Sequence, residues 1–127
     1  MSLQINAKKD YDNINKIAQN FVKFYYDNLN LKNYNNILNV IREHTILNFD
    51  NKLIKGYDIL KFYKHIFNNK HIKYNINKFI TTHKGSRAIN ILVNGSINER
   101  KFTEYIFFGQ GNDKKFWIKS SMILFIN

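Results

Sequence analysis

The sequence has no cysteine and no proline, and only 5 glycines among 127 residues. Without cysteine there can be no disulfide, no thiolate nucleophile and no Cys-ligated zinc. Without proline no residue punctuates a second domain, and the length suits one compact domain with a single core. Acidic residues are scarce, 9 against 20 Lys+Arg, so the formal net charge is +11. No apolar run approaches the roughly 18 residues of a membrane span. The opening MSLQINAKKD lacks the apolar centre of a signal peptide. The expectation is a cytoplasmic or nuclear protein with no membrane partner.

What the sequence does have is apolar and aromatic bulk. Hydrophobic residues make up 44% and aromatics 16%, enough to bury a core and to argue against disorder. The positive charge suggests an acidic partner such as nucleic acid. However, the chain is rich in Asn, Lys, Ile, Tyr and Phe and poor in Ala, Gly, Arg and Pro, the bias expected of AT-rich codons. The lysines are also scattered (Lys16, Lys23, Lys32, Lys55, Lys61, Lys73, Lys78), with short clusters only at Lys8-Lys9 and Lys114-Lys115. The charge reads as a solvated surface, and RNA contact as indirect.

Residues 1–10 are polar and are expected to be a flexible N-terminus, with a single domain over 11–127. From Tyr11 to Asn30, apolar residues at Ile14, Ile17, Ala18, Phe21, Val22, Tyr25 and Leu29 have helical spacing, with Asp10 or Asp12 as cap. A short second helix around Ile37–Ile41 follows an Asn-rich break. TILNF (45–49) reads as a strand, Asp50-Asn51 as a turn, Leu53-Ile54 as a short return strand and Gly56 as a break before a helix over Tyr57–Asn68, which Asn68-Asn69 ends. Four long strands follow: 71–82, with a phase slip before Phe79; 87–97, with Ile89, Ile91 and Val93 on one face; 102–109; and 116–126. Lys84-Gly85-Ser86 and Asn98-Glu99-Arg100 are the expected turns. Three helices followed by four strands is an α+β arrangement. Consecutive antiparallel strands would form a strongly curved sheet, closed by the helices into a cone with an internal pocket.

Strand alternation separates Phe102, Ile106 and Phe108 from Thr103, Tyr105 and Phe107, and Met122 and Leu124 from Ile123 and Phe125. All these sets are apolar, and three helices can cover only one face, so the other face needs a protein partner. The expected partner face is Thr103, Tyr105, Phe107, Ile123 and Phe125. The expected pocket lining is Tyr25, Phe62, Phe102, Ile106, Met122 and Leu124. An enzyme in such a pocket would need a base of raised pKa and a hydroxyl donor, for which the candidates are Tyr25, Tyr26, Asp50, Glu104 and His83. His44, His65, His71 and His83 lack metal-site spacing, and Gly109-x-Gly111 lacks the helix and Lys-Ser/Thr of a phosphate loop. Neither a metal nor a cofactor is expected, and no catalytic residue is assigned.

Taken in order, IAQNFVKFYYDNL, ILNFDNKLIKG, Gly95-Ser96, KFTEYIFF and FWIKSSMILF with Trp117 resemble the nuclear transport factor 2-like family over residues 11–126. The resemblance implies the cone fold and two transport functions. In one, a homodimeric carrier of Ran-GDP, Phe49 falls on the rim aromatic, Asp50 on the neighbouring acid and Glu99 on what remains of a second acidic patch, while Ile14 replaces the aromatic tied to nucleoporin repeats. In the other, the small subunit of an mRNA-export heterodimer, Gly95-Ser96-Ile97, Arg100-Lys101-Phe102 and Trp117-Ile118-Lys119-Ser120-Ser121 fit the pattern. The reading taken is a non-catalytic transport factor of the second kind, in nucleus and cytoplasm at the nuclear pore, with the Ran carrier as its alternative. An isomerase, dehydratase or ligand carrier using the pocket is the rival class.

Overall fold

The computed structural model describes residues 3–68, 71–84 and 88–126. Asn69, Gly85 and Ser86, parts of two expected breaks, lie outside them. Helix α1 spans Leu3–Asn30. It thus begins about two turns before the expected start at Tyr11, and Asp10 and Asp12 lie within it rather than capping it. Its buried stripe is Ile14, Ala18, Phe21, Val22, Tyr25, Tyr26 and Leu29, the i, i+4, i+7 spacing of one helical face. A Schellman motif ends the helix: Asn33 N–H donates to Asn28 O at 2.9 Å and Lys32 N–H to Leu29 O at 3.1 Å. Lys32 takes the left-handed conformation, φ 57°, where glycine is usual. Helix α2, Tyr34–Ile37, is a single turn capped by the Asn33 side chain and continues as a 3-10 turn, Leu38–Val40.

Strands β1 (Ile46–Phe49) and β2 (Lys52–Lys55) form a hairpin. Its two central residues, Asp50 and Asn51, both have positive φ, the backbone twist a two-residue hairpin needs. Gly56, at φ +63°, then turns the chain into helix α3, Asp58–Phe67; a Cβ at Gly56 would lie 2.6 Å from Glu43 O. Strands β3 (Tyr74–Lys84), β4 (Ala88–Ile97), β5 (Arg100–Gln110) and β6 (Phe116–Phe125) form an antiparallel meander. The phase slip expected before Phe79 is a β-bulge between Ile76 and Lys78.

The sheet is mixed, not purely antiparallel. The hairpin joins the meander because β1 runs parallel to β6, giving the order β2-β1-β6-β5-β4-β3. The concave face is covered by α1 and α3 and carries Leu47, Ile89, Ile91, Val93, Phe102, Ile106, Ile118 and Ile123, all buried. Aromatic rings fill the space beneath it. Phe21 meets Phe108 at 4.1 Å, Tyr26 meets Tyr74 at 5.4 Å and Tyr74 meets Phe102 at 5.7 Å between centroids. Tyrosine and phenylalanine pack through the interior where the sequence led us to expect a pocket, and some of these rings border clefts: Tyr26 and Tyr74 line one of about 250 Å³, and Phe21 and Phe108 one of about 380 Å³.

Candidate functional site

Three places in the fold carry the residues singled out from sequence. The first is the interior. Glu104 stands on β5 in the row Phe49–Ile123–Glu104–Val93–Phe79, flanked across the strands by apolar residues. Its carboxylate is 2% exposed. The Tyr26 hydroxyl donates to Oε1 at 2.6 Å and the Ser121 hydroxyl to Oε2 at 2.6 Å. Burial pushes the Glu104 pKa above the usual carboxyl range, against the pull of these two hydrogen bonds. Burial likewise raises Tyr25, Tyr26, Tyr63 and Tyr74, so their hydroxyls remain protonated at neutral pH. Tyr25 and Tyr63 bond each other at 2.8 Å.

Of the five acid–base candidates, the structure brings together Glu104 and Tyr26. Tyr25 is adjacent but spends its hydroxyl on Tyr63, Asp50 sits in the exposed β1–β2 turn, and His83 lies on β3 opposite Ile89. The other histidines are spread over the Arg42–Thr45 turn, α3 and the segment before β3. Among the described residues no three His, Cys, Asp or Glu cluster as metal ligands. Sequence reasoning missed Tyr63 and Ser121 as members of the interior polar group. Neither carried a readable signal, since alternation on β6 does not tell the core face from the other and the Tyr63 contact forms only across elements.

The second place is the rim of the cone. The Phe49 ring packs on Phe62 at 5.1 Å and on Phe125 at 5.7 Å. Lys52 covers Phe62 with its amine 5.3 Å from the ring centroid, and Arg100 covers Phe125 at 3.9 Å. Asp50 and Glu99 are exposed in the neighbouring turns. The rim aromatics are therefore dressed by cations. Phe62, expected to line a pocket, belongs to this rim.

The third place is the convex face, where the β6 assignment reverses. Tyr105 stands opposite Met122 and Thr103 opposite Leu124, while Phe102 stands opposite Phe125 and Glu104 opposite Ile123. Directly opposed residues share a face. Ile123 and Phe125, expected on the partner face, thus lie on the concave side, and Ile123 is buried. Met122 and Leu124, expected in the pocket, lie on the convex side with Thr103, Tyr105 and Phe107. The register shift between Phe107 and Phe108 sets this phase, because Phe107 faces Ser120 whereas Phe108 faces Ile118. Tyr25, Phe102 and Ile106, expected to line a pocket, are buried in the interior.

One cross-strand row on the convex face runs over all six strands: Leu53, Asn48, Met122, Tyr105, Leu92 and Ile80. Leu53 and Ile80 are 71% and 58% exposed, and Met122 and Tyr105 are 41% and 44% exposed. Ile46 and Phe107 flank the row on one side and Leu124 on the other.

Comparison with known proteins adds the following. No match is found among curated proteins. Among solved structures, nuclear transport factor 2 from Cryptosporidium parvum superposes with a TM-score of 0.76 at 15% identity, over 89% of this chain and 94% of that one. A cystatin-like fold protein from Burkholderia xenovorans gives 0.74 at 10% identity, over 91% and 92%. A protein described as a SnoaL-like polyketide cyclase from Shewanella denitrificans gives 0.62 at 12% identity, over 87% and 90%. At such identities the likeness is one of fold, and the fold serves binding proteins and enzymes alike. Residues 17–125 match the family model of the nuclear transport factor 2 domain, and the chain therefore belongs to that family.

Proposed function

We propose that this protein is a non-catalytic member of its family, acting in nucleocytoplasmic transport, and that its convex face pairs with a second domain of the same fold. The observation that carries the reading is a convex-face row that is apolar on five of the six strands, with Asn48 on β1 and with Leu53, Met122, Tyr105 and Ile80 exposed. Soluble monomers seldom expose such a band, and its residues are of the size and flatness that sheet-to-sheet packing buries. The burial of the interior polar groups supports it. Glu104, Tyr25 and Tyr63 are each 2% exposed or less and bond protein atoms.

Within transport, the cation-dressed rim favours the role of partner subunit in an mRNA-export heterodimer over that of Ran-GDP carrier. A Ran carrier needs acids around its rim aromatic, whereas here Lys52 and Arg100 cover Phe62 and Phe125. The test is light scattering on the purified chain with and without Ran-GDP. Association through the convex face with no gain of Ran supports the subunit reading. A dimer that takes up Ran makes the protein the carrier.

A second reading has one observation behind it. A carboxyl of raised pKa 2.6 Å from a tyrosine hydroxyl is the pair that proton abstraction next to a carbonyl requires. A small-molecule ligand that raises the melting temperature of the wild type but not of Glu104→Gln would establish it.

A further inference from the structure

Strand β3 is an outer strand of the sheet, so one side of its backbone lacks a neighbouring strand. In an antiparallel ladder, alternate residues turn both N–H and C=O towards the same neighbour. Tyr74 turns its pair away from β4 and onto α1: Asn30 Nδ2 donates to Tyr74 O at 3.0 Å, and Tyr74 N–H donates to Asn30 Oδ1 at 2.6 Å. The residues in phase with Tyr74 are Ile76 and, beyond the bulge, Phe79 and Thr81, which stand opposite Gly95, Val93 and Ile91. The β4–β5 turn agrees with this phase. Its closing pair, Ile97 and Arg100, directs the odd-numbered residues of β4 towards β5 and so away from β3. The backbone N–H and C=O of Phe79 and Thr81 therefore point off the edge of the sheet.

These groups open into a groove of about 590 Å³ between β3 and α1, lined by Asn15, Gln19, Ile76, Asn77, Phe79 and Thr81 among others. The Thr81 hydroxyl donates to Asn15 Oδ1 at 2.6 Å, which leaves the Asn15 amide nitrogen as a donor. Lys78 also lines the groove and places positive charge there. Natural edges are blunted by bulges, charges or covering groups. Here the bulge at Asn77 and the Asn30 clamp protect only the first part of the strand.

We propose that this edge accepts an extended peptide segment of a partner protein, neutral or acidic, as a strand added alongside residues 76–81. Asn30 shows the chemistry in place: a carboxamide, the functional group of a peptide bond, already exchanges both of its hydrogen bonds with this edge at Tyr74. Strand addition of this kind takes its affinity from main-chain hydrogen bonds and its selectivity from alternate side chains. The segment's alternate residues would meet Phe79 and Ile76, and its polar backbone would meet Asn15 and Gln19. This site shares Ile80 with the convex row, but it is read through the backbone of Phe79 and Thr81, which face off the edge of the sheet, so its test is distinguishable from that of the row.

The probe is a blocked hexapeptide of alternating threonine and valine, titrated into the full-length chain and followed by amide NMR. The expected result is a shift of the Phe79 and Thr81 amide signals and a slowing of their solvent exchange by about tenfold, the factor one net hydrogen bond gives. The same peptide N-methylated at alternate residues leaves both signals unmoved. Thr81→Pro removes one outward N–H at a position where the sheet makes no use of it; the Phe79 amide then loses its response while signals on β5 and β6 stay in place. No shift up to millimolar peptide overturns the proposal. So does an equal response to the N-methylated peptide, or a response confined to Tyr105 and Met122.

Discussion

Glu104 is the residue whose environment departs furthest from what water would provide. Two hydroxyls bond it, yet burial dominates and raises its pKa. The folded chain therefore holds this proton to higher pH than the unfolded chain does. Unfolding releases the proton, so the Glu104 contribution to stability is full below the ordinary carboxyl pKa of about 4.3 and falls as pH rises above it. Glu104→Gln keeps a group that Tyr26 and Ser121 can bond, and it removes this slope. The stability difference between variant and wild type, measured by denaturant unfolding from pH 4 to pH 8, should shift in favour of the variant as pH rises. Tyr26→Phe leaves Oε1 without its donor and should cost about 1–3 kcal/mol in the same experiment. A second test concerns Lys32, held at φ 57° in the Schellman motif. Lys32→Gly should raise stability by about 1 kcal/mol, since a side chain pays roughly that in the left-handed region. At this scale the sequence made Glu104 and Tyr26 visible, because an acid among apolar strand residues and a tyrosine pair on a helix stand out. It hid Tyr63 and Ser121, whose roles exist only once α3 and β6 meet α1 and β5.

Among the elements, β6 shows where alternation stops being informative. Its residues 122–125 are Met, Ile, Leu and Phe, apolar on both faces, so period two gives two sets and no means of telling inside from outside. The bulge opposite Phe107 and Phe108 fixes the choice, and it is a property of the strand pair. On β3, by contrast, the phase slip before Phe79 was readable, because the slip itself breaks a clean alternation of apolar and polar residues. The parallel β1–β6 contact is of the same hidden kind, a long-range pairing with no local signature. The two faces of β6 give separable outcomes. Ile123→Asp places a charge at a site 1% exposed, beside Glu104, and should cost about 3 kcal/mol or more, seen as lost cooperative unfolding. Met122→Asp lies on the convex face and should leave the melting transition nearly unchanged while weakening self-association.

For the whole molecule, the main fact is that one fold offers a buried aromatic interior, a cation-dressed rim and a mostly apolar row across the convex face. The order of helices and strands was legible because turns at Asp50-Asn51 and Asn98 and breaks such as Gly56 use residues that tolerate positive φ. The closing of the interior by packed rings was not legible, since a list of aromatic residues does not say whether they line a space or fill it. The account's central claim is that the convex row is a protein interface, and the measurement that tests it most directly is the solution mass of the chain. Light scattering of the wild type should give a mass above the 15.2 kDa of one chain, because an exposed row of this extent associates even when its preferred partner is missing. The double variant Tyr105→Asp with Met122→Asp should return to 15.2 kDa with its fold intact. A wild type that remains a monodisperse 15.2 kDa monomer, or a double variant that associates as strongly, would contradict the account.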